Sequence, residues 1–142
     1  MTGARGQTLG AAKRGQDMFI RDAMQPEGAP PSFERPIDLV HLARQTLGDR
    51  ALEREVLDLF VIQARTVLEQ LQAITDQRGR MDLAHTLKGS ARSVGAWHVA
   101  TAAEACETLI AASDASWRAS LDALAATIRV AIGAIGELRL AA

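Results

Sequence analysis

The residues best suited to do chemistry in this sequence fall in one short stretch, His85-Thr86-Leu87-Lys88-Gly89-Ser90-Ala91-Arg92. The segment from Gly79 to Val94 has helical spacing, and Leu83, Leu87 and Val94 share a face with Ser90 and Ala91 as small residues beside them. At about 100° per residue, His85 lies about 200° from both Leu83 and Leu87, so it points to solvent. Its neighbours at three or four residues' spacing are Met81, Asp82, Lys88 and Gly89, with Arg92 one further turn along. An exposed imidazole keeps a ring nitrogen able to attack a phosphorus atom in line, and the phosphoramidate so formed is labile enough to be passed on. Lys88 and Arg92 put positive charge where a dianionic phosphoryl group would sit, and lysine is a common point-charge phosphate binder. Gly89 is the odd residue, because a glycine inside a helix costs roughly 1 kcal/mol against alanine. Either it clears space for a bulky partner one turn from His85, or it allows close helix packing. Ser90 lies on the flank, where its hydroxyl can bond the preceding turn or help hold the site.

Other candidates are weaker. His41, between Val40 and Leu42, reads as a partly buried, hydrogen-bonded histidine, and His98 as a surface residue at the start of a helix. The histidines show no HxxxH spacing and the single cysteine, Cys106, has apolar neighbours at helical spacing, so no metal site is expected and Cys106 reads as core. Neither GxxxxGK[ST] nor GxGxxG occurs, which leaves nucleotide binding without support, and no cofactor is expected. Asp82 and Glu107 would be an acid/base pair only if a pocket lay between them, and helices this rich in alanine suggest none.

The elements that must position His85 are helices. Alanine and leucine are abundant, aromatics are few, and period-2 patterns are absent. Five helices are expected. The first, about 36–47, has Pro36 at its start, where a missing N–H costs nothing, and apolar Ile37, Val40, Ala43 and Leu47. Gly48 ends it and Asp49 caps the second, about 50–76, with Val56, Leu57, Phe60, Val61, Ala64, Val67, Leu68, Leu71 and Ile74 at helical spacing. The third, about 79–94, carries His85. The fourth, about 96–112, buries Val99, Ala102, Ala103, Cys106, Leu109 and Ile110, and the fifth, about 115–139, buries Trp117, Leu121, Leu124, Ile128, Ile132, Ile135 and Leu138. Short links between long amphipathic helices force antiparallel neighbours. The fold class expected is all-α: an antiparallel up-down-up-down four-helix bundle, with the short first helix capping one end.

Residues 1–35 read as a flexible arm and linker ahead of a 36–142 domain. They hold Pro26, Pro30 and Pro31, and a short helix around Met18, Phe19, Ile20 and Met24 is an option. The chain's 142 residues suit one domain with a real core and leave no room for a nucleotide-binding kinase domain beside it. A net charge of −1 with mixed signs argues against a general nucleic-acid binder. No apolar leader and no apolar run near the roughly 20 residues of a membrane span is read, so the cytoplasm is the expected compartment.

The string from His85 through Gly95-Ala96 resembles the core motif of histidine phosphotransfer (HPt) domains: His, any residue, Leu, Lys, Gly, Ser, a small residue, and a later glycine. Ala91 stands where serine is common. It faces the bundle, so no effect on the chemistry is expected. The resemblance extends more loosely over about 36–140. It implies a monomeric four-helix bundle whose exposed histidine exchanges phosphoryl groups with receiver-domain aspartates of response regulators or hybrid histidine kinases, without ATP-dependent activity. By motif position it makes His85 the phosphorylated residue, Lys88 the phosphate-side cation and Gly89 the clearance position. In some members a polar side chain on the following helix bonds the histidine, and counting along the motif places Glu107 there. Met81, Asp82 and Arg92 would then belong to the partner-binding ring. The alternatives are the phosphotransfer domain of a chemotaxis-type kinase, or a helical adaptor without chemistry. A kinase dimerisation helix pair is disfavoured, because no proline follows Pro36.

Overall fold

The computed structural model describes residues 30–141, and within them the chain is helical with no strand. The expected helix around Met18 to Met24 lies outside the described residues. Five helices follow one another: α1 Leu39–Gln45, α2 Arg50–Ala73, α3 Gln77–Val94, α4 Trp97–Leu109 and α5 Asp114–Ala141. The links between the last four are short, which makes sequential neighbours antiparallel. α2 packs on α3, α3 on α4, α4 on α5 and α5 back on α2, closing a four-helix bundle, while α1 rests on α3.

Local sequence explains where the helices begin and end. Asp49 accepts from Leu52 N–H at 3.1 Å and Asp76 from Gly79 N–H at 2.8 Å, each satisfying a donor the first helical turn leaves unpaired. α3 ends at Gly95, whose φ of +78° is the left-handed conformation that favours glycine. Apolar residues at helical spacing then fill the centre. Leu57, Phe60, Ala64, Val67 and Leu71 of α2 face Ala84, Leu87, Ala91 and Val94 of α3, with Val99, Ala103 and Cys106 from α4 and Leu121, Leu124, Ile128 and Ile135 from α5.

α1 departs from the expectation at both ends. It starts three residues after Pro36, because Asp38 is its cap, accepting from His41 N–H at 3.1 Å. Its buried side chains are His41 and Leu42, with Ile37 just ahead of it, whereas Val40 is 61% and Leu47 is 94% exposed. A polar anchor sets this phase. Asp38 N–H donates to Gly95 O at 2.9 Å, and its Oδ2 accepts from Trp97 Nε1–H at 2.8 Å and from Ser32 N–H at 3.0 Å. A side chain at Gly95 would place its Cβ 2.9 Å from Asp38 O, so glycine is needed there both for its φ and for this approach. The His41 ring meets Trp97 edge to face at 4.8 Å. Residues 32–33, read as linker, are tied to the bundle: besides the Ser32 bond, Phe33 O lies 2.9 Å from His98 Nε2.

α5 also corrects one expectation. It is long enough, and apolar enough over an 18-residue stretch, to meet the length and composition of a membrane span. Trp117, Leu121, Leu124, Ile128 and Ile135 of this helix are turned into the bundle core, while Val130 is 59% exposed.

Candidate functional site

His85 lies midway along α3, on the side opposite the buried stripe of Ala84, Leu87, Ala91 and Val94, and its side chain is 71% exposed. The bundle brings Glu107 of α4 beside it. Glu107 Oε1 lies 3.2 Å from His85 Nδ1, and Glu107 Oε2 accepts from Lys88 Nζ at 2.9 Å. The Lys88 and Glu107 side chains are each only 13% exposed. His85 and Lys88 occupy successive turns of one helix, and the close packing of α3 on α4 lets one carboxylate reach both.

This geometry assigns the tautomer. An ionised carboxylate only accepts hydrogen bonds, so the neutral imidazole must carry its proton on Nδ1. The lone pair then sits on Nε2, on the outward side of the ring. Lys88 balances the charge of Glu107 in a partly buried position where an unpaired carboxylate would be costly. The arrangement can hold an imidazole in one orientation and one tautomer with a nucleophilic nitrogen facing outward.

The other residues singled out by the sequence divide into two groups. Met81, Asp82 and Gly89 are exposed on the same helix as His85. A Cβ built on Gly89 meets nothing within 4 Å, so among the described residues no helix packs closely there, which argues against the packing explanation for this glycine. Arg92 is half-buried in the last turn of α3, where a cation suits the helix dipole, and it makes no ion pair among the described residues. Lys88 directs its ammonium to the same Glu107 carboxylate that meets His85. The Ser90 carbonyl accepts from Ser93 Oγ at 2.8 Å, and its hydroxyl makes no hydrogen bond among the described residues. Asp82 makes no bond to Glu107 among the described residues. His41 is buried and His98 exposed.

The family model of the Hpt domain matches residues 55–139, more than half of the chain and nearly all of α2 to α5. The chain belongs to the Hpt domain family. Comparison with curated proteins gave no match, and comparison with solved structures gave none. The Hpt domain here is thus a helical module of the phosphorelay type, one that works with receiver domains. Its α1 lies ahead of the matched residues and is joined to them through the Asp38, Gly95 and Trp97 contacts. Sequence reasoning missed these contacts. The available signal was an aspartate three residues before His41, the spacing of an N-cap, but nothing local connects it to Trp97.

Proposed function

We propose that His85 accepts a phosphoryl group on Nε2 from a receiver-domain aspartyl phosphate and relays it to the aspartate of another response regulator. The observation that carries this reading is the Glu107 carboxylate at Nδ1 of an otherwise exposed His85. In acceptance, the Nε2 lone pair bonds to phosphorus while the P–O bond to the aspartyl carboxylate breaks, and the aspartate departs as carboxylate. The Nδ1 proton stays on Glu107's hydrogen bond throughout. In the return step a receiver carboxylate attacks phosphorus, the P–N bond breaks, and imidazole leaves neutral because Nδ1 is still protonated.

Glu107 is a positioning residue here, and Lys88 holds Glu107 while offering positive charge near the phosphoryl group. Gly89 leaves room for the receiver, whose contact ring takes in Met81, Asp82 and Arg92. The module spans 36–142, with residues 32–33 of the preceding segment tied to it, and acts as a monomeric cytoplasmic carrier without ATP-dependent activity. The reading is tested by mixing the protein with a panel of phosphorylated receivers and timing the appearance of label on the chain. Transfer within seconds to minutes from at least one receiver is expected. Transfer from none, with labelling by ATP and a kinase domain instead, would overturn the relay.

A further inference from the structure

A cavity of about 610 Å3 opens at the end of the bundle where α1, the start of α2 and the end of α5 meet, away from the residues of the phosphotransfer site. Its size lies within the roughly 300–1,000 Å3 usual for small-molecule sites. Leu39, Leu42, Leu57 and Leu138 form an aliphatic lining, and among the described residues none around the cavity is aromatic. A flat heterocycle therefore finds no stacking partner there, whereas a flexible alkyl chain finds a matching surface.

The rim is basic. Arg50, Arg54 and Arg139 line it, and among the described residues the one acid there is Glu53. Arg139 is paired with Asp58 at 3.0 Å, and Glu53 accepts from Thr46 Oγ1 at 3.3 Å. Arg50 and Arg54 make no ion pair among the described residues. Their placement is unfavourable for the helix itself. Arg50 is the first residue of α2, at the positive end of the helix dipole, and Arg54 adds a like charge one turn on. Beside the cavity, Leu47 holds a φ of +54°, costly for a branched side chain, while remaining 94% exposed. Two arginines that weaken their own helix, over an aliphatic pocket, suit an anion whose body is a hydrocarbon chain.

We infer that this end cavity binds a long-chain aliphatic carboxylate, with Arg50 and Arg54 holding the head group and the leucines covering the chain. Guanidinium groups pair carboxylates through two parallel hydrogen bonds, which fixes the head while the tail fills the pocket. The same head-and-tail chemistry occurs in free fatty carboxylates and in anionic lipids. The mixture of arginines with Glu53 and Asp58 at this end favours a free molecule over a uniformly anionic membrane surface.

The test is calorimetric titration of the full chain with monomeric decanoate and dodecanoate, with methyl shifts followed by NMR. One saturable site is expected, with shifts at Leu42 and Leu57. Burial of two further methylenes should tighten binding on the order of tenfold from decanoate to dodecanoate. The Arg50→Ala/Arg54→Ala double variant should keep its helicity and lose at least tenfold in affinity, and decanol should bind wild type no better than it binds the variant. Equal affinity for decanol and decanoate in wild type would overturn the inference. So would shifts confined to other methyl groups, or binding to phosphatidylglycerol vesicles with none to monomeric carboxylate.

Discussion

Glu107 Oε1 lies 3.2 Å from His85 Nδ1, across the interface between two antiparallel helices, while its other oxygen holds Lys88. One carboxylate therefore sets the orientation of the imidazole and the position of its proton. Glu107→Gln tests this directly. Glutamine can offer either its carbonyl or its NH2 group to Nδ1, so the tautomer is no longer fixed. A charge-assisted bond is worth roughly 1 kcal/mol more than a neutral one, which corresponds to about a fivefold change in rate. The variant should therefore transfer phosphoryl about fivefold more slowly or worse. Nitrogen-15 shifts of the His85 ring should move from the Nδ1–H pattern toward a tautomer mixture. Unchanged ring shifts with unchanged rate would show that Glu107 has no part in positioning.

Gly89 separates packing from access. With open space around the site of its missing Cβ, Gly89→Ala should stabilise the domain by about 0.5–1 kcal/mol, seen as a higher denaturation midpoint. Gly89→Gln should keep the helical spectrum and cooperative unfolding yet slow transfer several-fold, because the side chain stands in the receiver's path. An unfolded Gln variant, or one that transfers at the wild-type rate, would contradict the clearance role.

Arg92 and Lys88 are both cations near His85, but they should respond differently to salt. Arg92 has no partner ion among the described residues, and the proposed contact ring places it at the edge, where charge mainly governs association rate. Arg92→Glu should slow transfer at low ionic strength and approach wild type as salt screens the interaction. Lys88 is mostly buried against Glu107, so the loss in Lys88→Ala should persist at high salt. A salt series on both variants with one cognate receiver checks this. Indistinguishable salt dependence in wild type and Arg92→Glu would remove Arg92 from the ring.

Asp38 predicts an acid response of the fold. Burial opposes its ionisation, but hydrogen bonds from Trp97, Ser32 and His41, with the nearby His41 ring, together hold its carboxyl below the ordinary value of 3.8. A depressed carboxyl contributes stability above its unfolded-state pKa and loses it as pH falls through the folded-state pKa. Wild type should therefore lose stability below about pH 4, and Asp38→Asn, which cannot titrate, should be less stable at pH 7 and lose less on acidification. Asp38→Ala also removes the helix cap and should cost about 2 kcal/mol or more. Urea denaturation at pH 7 and pH 3 reads all three proteins. A stability gap between wild type and Asp38→Asn that stays constant with pH would contradict the assignment.

The four bundle helices were legible in the sequence because each has enough turns to repeat an apolar stripe, from Leu57 to Leu71 in α2 and from Trp117 to Ile135 in α5. α1 is two turns long, too short for periodicity to fix its phase, and Val40 and Leu47 pulled the reading to the wrong face. What orients it is a hydrogen bond between Asp38 and Trp97, 59 residues apart, which leaves no periodic trace. The azimuth of His85 followed from helical geometry alone. The place of Lys88's ammonium did not, since a long side chain can lay its stem along the surface and turn its charge toward a neighbouring helix. Glu107 was reachable only by counting along the family motif. Its reach to both His85 and Lys88 depends on how α4 lies against α3.

His85 is proposed as the phosphoryl carrier. The direct measurement incubates wild type, His85→Ala, His41→Ala and His98→Ala with one phosphorylated receiver and locates the label by mass spectrometry under alkaline conditions, which preserve phosphohistidine. Wild type and the His98 variant should carry an acid-labile, base-stable phosphoryl group on His85. The His41 variant should do so too, provided its fold holds without the Trp97 contact. The His85 variant should carry none. Acid-labile label acquired by the His85 variant at the wild-type rate would contradict the account.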